Sequence, residues 1–290
     1  SVRSDYEPSM PGMVYAAQPN SYRCEFGGET PDECAVLCAK SIEDLILFHG
    51  PETVAALIAE PVSASSLAAV PGSPYWPMIR DICNRYGVLL IADEVITGFG
   101  RTGQMFAVEH WDIVPDLMTV AKGITSSYLP FAVSIATNRV AEVFAGEKNV
   151  FRQALTFGGH PVCASAALTN IGIIESEGLV ENSAKMGAYF LDKLKVLQDT
   201  HSIIGDVRGL GLLLGVEIVK NRATKESFPD SSGIAEILNK SFRSHGLILF
   251  ASNKGISMGP PLCIQRNEVD YICEAIDKSL TTAEAELSLI

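Results

Sequence analysis

The sequence has no apolar run long enough to cross a lipid bilayer. Its longest apolar stretches, such as the five residues from Val88 to Ala92, are much shorter than the about 20 residues that a membrane-spanning helix needs. The first residues, SVRSDYEPSM, contain no apolar signal core and carry charges of both signs. We therefore expect a protein that is neither exported nor embedded in a membrane, and we predict a cytoplasmic location.

Positive charge is scarce, because 22 lysines and arginines stand against 34 aspartates and glutamates, for a net charge of −12. Nucleic acids and anionic membranes attract proteins through basic surfaces. The composition therefore disfavours nucleic acid and membrane as partners. It does not exclude a small anionic ligand, which needs only a local cluster of donors.

Cysteines are few and odd in number, with seven in 290 residues. At this chain length they favour reduced thiols over a disulfide framework. Cys34 and Cys38 are four positions apart with Cys24 upstream, which is compatible with a zinc site. However, the sequence has no HExxH pair and no second close cysteine pair. We therefore predict buried or half-buried thiols and no metal.

Short apolar runs alternate with helical patterns along most of the chain. Strands are predicted at 54–59, 88–92, 117–121 and 131–137, and helices at 32–48, 160–176 and 179–197, with another helix ending at Tyr86. After residue 203 come glycine-rich strands within 207–219, a helix near 234–244 and a last helix from 267. This order predicts an α/β fold whose mostly parallel sheet is covered by helices on both faces. We expect a large domain over 1–170 and a smaller C-terminal α+β domain over 171–290.

Two charged residues, Asp93 and Lys122, each follow a predicted apolar strand. In open α/β sheets the carboxyl ends of the strands form the edge that binds ligands. We therefore expect both side chains at that edge. The spacing alone leaves open whether they form a simple ion pair or a catalytic pair.

Two segments of the sequence match only part of a nucleotide-binding motif. The segment VLLIADE at 88–94 has the form of a Walker B strand, but no GxxxxGK[ST] loop occurs anywhere in the chain. Residues 98–103 match GxGxxG, yet the acidic pair precedes these glycines and the next strand ends in Lys122. Neither match predicts a nucleotide site.

Residues 91–129, IADEVITGFGRTGQMFAVEHWDIVPDLMTVAKGITSSYL, closely resemble the signature of class III (ω-amino-acid type) aminotransferases. Supporting segments follow in the family's order: IAEPV at 58–62, CNRYGVLLIADE at 83–94, TFGGHP at 156–161, IGDVRGLGLLLGVE at 204–217 and GPPL at 259–262. The resemblance extends over nearly the whole chain. It implies the α/β fold of PLP-dependent transferases of fold type I, with pyridoxal 5'-phosphate (PLP) as the cofactor.

The resemblance also implies roles for individual residues. Lys122 is similar to the lysine that forms a Schiff base with the cofactor, and Asp93 to the partner of the pyridine nitrogen. A carboxylate there favours the protonated ring, which accepts electron density when the substrate Cα–H bond breaks. A lysine forms the imine and also moves the proton.

Two further residues have both a cofactor role and a plain structural one. Val95 would pack under the cofactor ring, or would simply be a core residue. Thr156 is similar to the residue that donates to the cofactor phosphate of the neighbouring subunit, which implies a homodimer with shared active sites. Without the resemblance, Thr156 could equally cap the helix that begins near His160.

Three other residues are weighed in the same way. Glu60, at the end of its strand, either faces the substrate pocket or hydrogen-bonds nearby backbone. We interpret His160 as structural, because it stands beside a helix start. Arg101 is expected to tie down the glycine-rich loop.

The chain departs from the family pattern near its start. Members have a longer N-terminal region with a Gly-Ser loop for the cofactor phosphate and an aromatic-His-Gly segment whose ring stacks on the cofactor. The segment Phe48-His49-Gly50 imitates the latter. It follows the PGM segment at 11–13, whereas the family has it before, so we reject it.

A second departure concerns the substrate. Ser257 stands where members that use glutamate or 2-oxoglutarate often carry an arginine, and Ile96 replaces a glutamine found in several of them. Both changes favour transfer from a primary amine or ω-amino acid to a keto acid such as pyruvate. GFGRTG, in place of GFR, argues against a glutamate semialdehyde aminomutase. The alternative is a truncated, weakly active or non-catalytic member that acts as a dimerising remnant.

Overall fold

The computed structural model describes residues 6–146 and 148–287, so the outer ends of the two predicted domains, 1–5 and 288–290, lie outside it. Its first sheet has the strand order β1-β2-β3-β4, namely Ala56–Ala59, Leu89–Asp93, Leu117–Val120 and Val133–Ala136. The first three strands are parallel and β4 is antiparallel to β3. The prediction of a mostly parallel sheet is confirmed.

One face of this sheet is covered by helices α1 (Pro31–His49) and α2 (Tyr75–Tyr86). Helix α1 begins at a capping box, in which the Glu33 N–H donates to Thr30 Oγ1 at 3.2 Å and the Thr30 N–H donates to Glu33 Oε2. The buried stripes of both helices meet the sheet in one core, whose members include Ile42, Trp76, Ile79 and Leu90. This shared core fixes the position of the strands.

The helical cover predicted for the opposite face is present, although it is uneven. Helix α4 (Pro161–Ser176) follows the short helix α3 (Asn138–Ala141), and its Ala167 and Ile174 share a core cluster with Val120 of β3. On β1, however, Ile58 remains 51% exposed. Among the described residues, Ile58 belongs to none of the hydrophobic clusters. Continuous apolar strands are typical of sheets buried on both faces.

The second sheet is antiparallel and has the strand order β5-β6-β8-β7. Its strands are β5 (Ile204–Leu210), β6 (Leu213–Ile218), β7 (Phe250–Ser252) and β8 (Gly255–Met258), and α5 (Leu179–Thr200), α6 (Ile234–Ser244) and α7 (Arg266–Leu287) pack with it around one core. The proposed domain division at residue 170 stays a prediction, and it falls inside α4. None of the described helices combines the length and apolarity needed to cross a membrane.

Asp116 links the ends of β2 and β3 that lie opposite to Asp93 and Lys122. Its side chain is buried and accepts hydrogen bonds from Arg80 Nη1 at 3.0 Å, from the Leu90 N–H at 2.8 Å, and from Arg139. Burial alone would raise the pKa of this carboxyl, but these donors outweigh burial and lower it. The carboxylate therefore joins the starts of β2 and β3 to α2 and to the residues after β4.

Replacing Asp116 by asparagine is expected to destabilise the protein by about 1–3 kcal/mol, because an amide would leave the half-buried Arg80 guanidinium without its anionic partner. Because the folded pKa is lowered, the contribution is complete above the ordinary aspartate pKa and is lost as pH falls through the folded value. Denaturant unfolding followed by circular dichroism at several pH values measures it. Asp112→Asn, at an exposed position, is the control. Equal unfolding midpoints for the two variants would contradict the prediction.

Candidate active site

Three of the residues singled out in the sequence lie at one edge of the first sheet. Asp93 is the last residue of β2, Glu60 follows the last residue of β1, and Lys122 lies just beyond β3. The parallel register pairs Ala59 with Ala92 and Asp93 with Thr119, so the three strand ends are level. As the strand arrangement predicts, two carboxyl groups and one amine lie at the carboxyl ends of neighbouring strands.

The Asp93 carboxylate is held from two sides. Its Oδ1 accepts a hydrogen bond from the Val95 N–H at 3.1 Å and another from Thr119 Oγ1 at 3.3 Å. The second donor comes from the neighbouring strand, so the orientation of the carboxylate is tied to the β2–β3 pairing. Both of these hydrogen bonds use Oδ1, so neither of them occupies Oδ2.

Lys122 occupies a backbone conformation that few non-glycine residues adopt. Its φ is +41°, and Ser126 and Ser127 in the same turn also have positive φ. The turn is secured by α4, where Asn170 Nδ2 donates to the carbonyls of Gly123 at 2.8 Å and Ile124 at 3.1 Å. Strained backbone of this kind persists where the surrounding structure holds it and is typical of functional sites. The Lys122 side chain is exposed.

Glu60 makes the local hydrogen bonds that the sequence offered as one of two alternatives. Its carboxylate accepts from Ser63 Oγ at 3.2 Å and from the Ala64 N–H at 3.4 Å, so it does bind the backbone that follows β1. It also lies within electrostatic reach of Asp93 and Lys122. Burial, the largest influence, raises the pKa of Glu60; the two hydrogen bonds and Lys122 oppose this rise, and Asp93 adds to it.

The loop after β2 is shaped by Glu94, which is fully buried. Its carboxylate accepts from the Thr97 hydroxyl and from the Val108 N–H, the latter at 2.9 Å. Burial raises the pKa of this carboxyl, although the hydrogen bonds oppose the rise. Glu94 therefore closes the loop over 94–108 on itself while its neighbour Asp93 faces the site edge.

Arg101 does more than fasten the glycine-rich loop on which it stands. Its Nη1 donates to the carbonyls of Leu212 at 3.2 Å and Pro260 at 2.6 Å, and its own carbonyl accepts from the Leu212 N–H. These partners belong to the turn between β5 and β6 and to the segment after β8. The loop that follows Asp93 is thus bonded to the second sheet.

The remaining predicted residues lie apart from this group. Thr156 is exposed, and within the described chain it hydrogen-bonds to neither Asp93 nor Lys122. It does not cap α4, because His160 is the residue at that position. Val95 is half-buried. Phe48, from the rejected Phe48-His49-Gly50 segment, lies in the last turn of α1 and is 83% exposed.

Sequence reasoning missed three supporting residues. Thr119 could not be predicted because its role depends on strand register. Glu94 was missed because it directly follows Asp93, which the strand end already indicated. Asn170 had a readable signal: it is a lone amide among the apolar residues of its helix. None of the three has a motif of its own.

An amine and an oriented carboxylate at the carboxyl edge of a parallel sheet are the groups needed to hold a carbonyl cofactor that has a basic ring nitrogen. Lys122 supplies a nucleophilic nitrogen, and Asp93 supplies the acceptor for a protonated ring. The donor set of this edge therefore fits PLP.

Comparison with known proteins agrees. The family model described as aminotransferase class-III matches residues 1–280. The chain is 39% identical over 298 residues to a taurine–pyruvate aminotransferase of Bilophila wadsworthia, covering 98% of this chain and 64% of that protein. It is also 39% identical over 281 residues to a putrescine–pyruvate aminotransferase of Pseudomonas aeruginosa, covering 96% and 61%. The chain belongs to the class-III aminotransferase family.

Solved structures extend the likeness to the fold. An (S)-enantioselective ω-transaminase from Thermomicrobium roseum superposes with a TM-score of 0.92 at 40% identity, over 96% of this chain and 62% of that one. A PLP-bound amine transaminase from an uncultivated Pseudomonas species gives 0.89 at 33% identity, over 93% and 63%. The fold is that of the PLP-dependent transferases of fold type I. The chain spans about three fifths of the length of these relatives.

Proposed function

We propose that this protein is a PLP-dependent aminotransferase that moves an amino group from a primary amine or ω-amino acid to a keto acid such as pyruvate. The observation that carries the proposal is the meeting of Lys122 and Asp93 at one sheet edge, in a chain of the class-III family. The carboxylate is oriented by two hydrogen bonds and the lysine is accessible.

Four residues of this chain would hold the cofactor. Lys122 Nζ would bind it covalently, Asp93 would accept from its ring nitrogen, Val95 would pack against the ring, and Thr156 would donate to the phosphate of a second subunit's cofactor. When bound, PLP supplies an electron sink that lowers the barrier to breaking the substrate Cα–H bond.

The chain's own residues then handle charge and protons. With the cofactor bound, the Asp93 carboxylate would stabilise a positive charge at its ring nitrogen, and the Thr119 hydroxyl and Val95 N–H keep that carboxylate in one orientation. Lys122 Nζ would serve as the general base for the proton of the substrate Cα. Glu60 borders the pocket and adds a second carboxyl, whose pKa is raised by burial.

The proposed donor and acceptor classes rest on sequence and relatives together. The relatives' names specify taurine or putrescine as the amine and pyruvate as the keto acid. In this chain Ser257 lies exposed on β8, where an arginine would otherwise recognise a second carboxylate. Ile96 packs beside the small cluster of Val62, Ala68 and Leu213, so this position contributes apolar surface.

The chain is proposed to act as a homodimer with shared active sites in the cytoplasm. A single connecting region exposes many large apolar side chains, a pattern that marks protein interfaces. They are Val143, Phe144, Val150, Phe151, Leu155 and Phe157, followed by Val162 and Leu168 on α4. Thr156 stands within this region, so the surface that a second copy would cover also carries the proposed phosphate donor.

Production of alanine from pyruvate tests the amino transfer directly. With PLP present and taurine, putrescine or β-alanine as donor, we expect alanine to form, and we expect 2-oxoglutarate to be a poorer acceptor than pyruvate. Chromatography of the amino acid products measures both. Equal or better use of 2-oxoglutarate would overturn the proposed substrate class, while leaving the proposed cofactor site standing.

A weakly active or non-catalytic, dimerising member remains the second candidate, and one observation favours it. Lys122 is exposed, and the face of β1 that carries Ile58 is open among the described residues, so the 290-residue chain encloses little of a bound cofactor.

We expect these 290 residues alone to bind PLP weakly, with a dissociation constant at least about tenfold above that of a longer relative, because an open site loses contacts to the ring and phosphate. Titration of PLP followed by absorbance of the protein-bound imine measures the constant. The homologous full-length transaminase serves as the reference. Equally tight binding together with turnover would rule out the second candidate.

A further inference from the structure

Three cysteines that the sequence separates are brought together at the start of α1. The Sγ atoms of Cys24, Cys34 and Cys38 all lie within 4.8 Å of one another, and the Cys34–Cys38 pair is 4.0 Å apart. Cys34 and Cys38 are completely buried, whereas Cys24 is half-buried. Among the described residues this is the one group of three or more histidine, cysteine or acidic side chains that meets the geometric conditions for holding a metal ion.

The local backbone is built around this cluster. Cys34 and Cys38 occupy one face of α1 because residues four apart lie one turn above each other. Cys24 is delivered by a tight turn, in which the Gly27 N–H donates to the Cys24 carbonyl at 3.2 Å and Gly27 has a φ of +74°. Gly28 is pressed against the helix, because a Cβ on it would lie 2.6 Å from the Cys34 nitrogen.

The separation of the Cys34 and Cys38 sulfurs is near that in a thiolate-bound cation site, and the third sulfur lies within 4.8 Å of both. Zinc–sulfur bonds are about 2.3 Å long, so sulfurs around one tetrahedral zinc lie about 3.8 Å apart. The observed 4.0 Å between the Cys34 and Cys38 sulfurs is close to this spacing and far from the roughly 2.0 Å of a disulfide. Three sulfurs leave a fourth position, which the half-exposed side of Cys24 opens to solvent.

We propose that Cys24, Cys34 and Cys38 form a site for a thiophilic cation, Zn²⁺ or Cu⁺, bound through three thiolates. Soft sulfur ligands select these ions over Mg²⁺ and Ca²⁺. The sequence alone predicted no metal, because it has no HExxH pair and no second close cysteine pair. The bound ion would fasten the segment around Cys24 to α1, away from Lys122 and independently of the proposed amino transfer.

The test begins with metal uptake by the reduced 290-residue chain, at mildly alkaline pH because the thiols must lose protons on binding. Co²⁺ is added as an optical probe of thiolate ligation, Zn²⁺ is used to displace it, and Cu⁺ is titrated separately. We expect one Zn²⁺ or one Cu⁺ per chain, and the ion that competes better identifies the preferred cation.

Cys24→Ser is the decisive variant, because Cys24 is the least buried of the three and its loss disturbs the core least. It is expected to lower the affinity at least tenfold and to abolish the rise in melting temperature that Zn²⁺ gives the unchanged protein. Cys163→Ser, also at a half-buried cysteine, is the matched control and should bind like the unchanged protein.

Three results would overturn the proposal. The reduced chain could bind no ion, or the Cys24→Ser variant could bind it as tightly as Cys163→Ser. The third is a disulfide between Cys24 and a partner that persists under reductant, found by peptide mass mapping. If Cys24→Ser fails to fold, peptide mapping of zinc-protected thiols in the unchanged protein decides, since protection must fall on these three cysteines and spare Cys163 and Cys263.

Discussion

Replacing Lys122 by alanine is expected to slow amino transfer by about 10⁴-fold or more, because the same nitrogen binds the cofactor and moves the proton. Reductive trapping gives a readout that does not need turnover. After stoichiometric PLP and borohydride, the pyridoxyl group should be found on the peptide that contains Lys122. The Lys122→Ala variant should lose this label.

Lys195→Ala is the matched control, because Lys195 is an exposed lysine on α5 with no part in the site. It should keep both the label at Lys122 and the activity of the unchanged protein. A label spread evenly over surface lysines in the unchanged chain would remove Lys122 from its proposed role. Unchanged transamination by Lys122→Ala would do the same.

The second large effect is expected at Asp93. Changing it to asparagine keeps the shape of the side chain but removes the charge that favours a protonated ring nitrogen, and we expect the first half-reaction to slow by about 100-fold or more. A single-turnover experiment, in which an amine donor converts bound PLP to pyridoxamine phosphate, measures this step by absorbance.

Cofactor affinity should be measured on the same Asp93→Asn sample, so that a loss of PLP is separated from a loss of rate. Asp192→Asn, at an exposed position on α5, controls for the loss of one negative charge. The role of Asp93 would be disproved by a half-reaction as fast in Asp93→Asn as in Asp192→Asn. Weak PLP binding with an unchanged rate would limit Asp93 to holding the cofactor.

Much of this site could be predicted because its residues are attached to strong local signals. Apolar strands bounded by charged residues placed Asp93 and Lys122 at one edge, and each strand of the first sheet lies within two residues of its predicted bounds. The family resemblance then gave these residues roles that spacing alone had left open.

What could not be predicted depends on contacts between distant parts of the chain. The hydrogen bond from Thr119 to Asp93 follows from strand register, and that from Asn170 to the turn after Lys122 from the docking of α4. The exposure of Ile58 could not be predicted for a related reason. Apolarity shows that a strand face needs covering, but it does not show which segment supplies the cover.

Arg101 gives the fold a further property. Its guanidinium donates hydrogen bonds to two carbonyls of the second sheet region, while its own backbone belongs to the loop that follows Asp93. Burial lowers the pKa of Arg101, but the guanidinium stays charged at any working pH. These hydrogen bonds are therefore kept as the pH changes. Arg101 is therefore a structural connection between the second sheet and the loop whose Val95 N–H orients the Asp93 carboxylate.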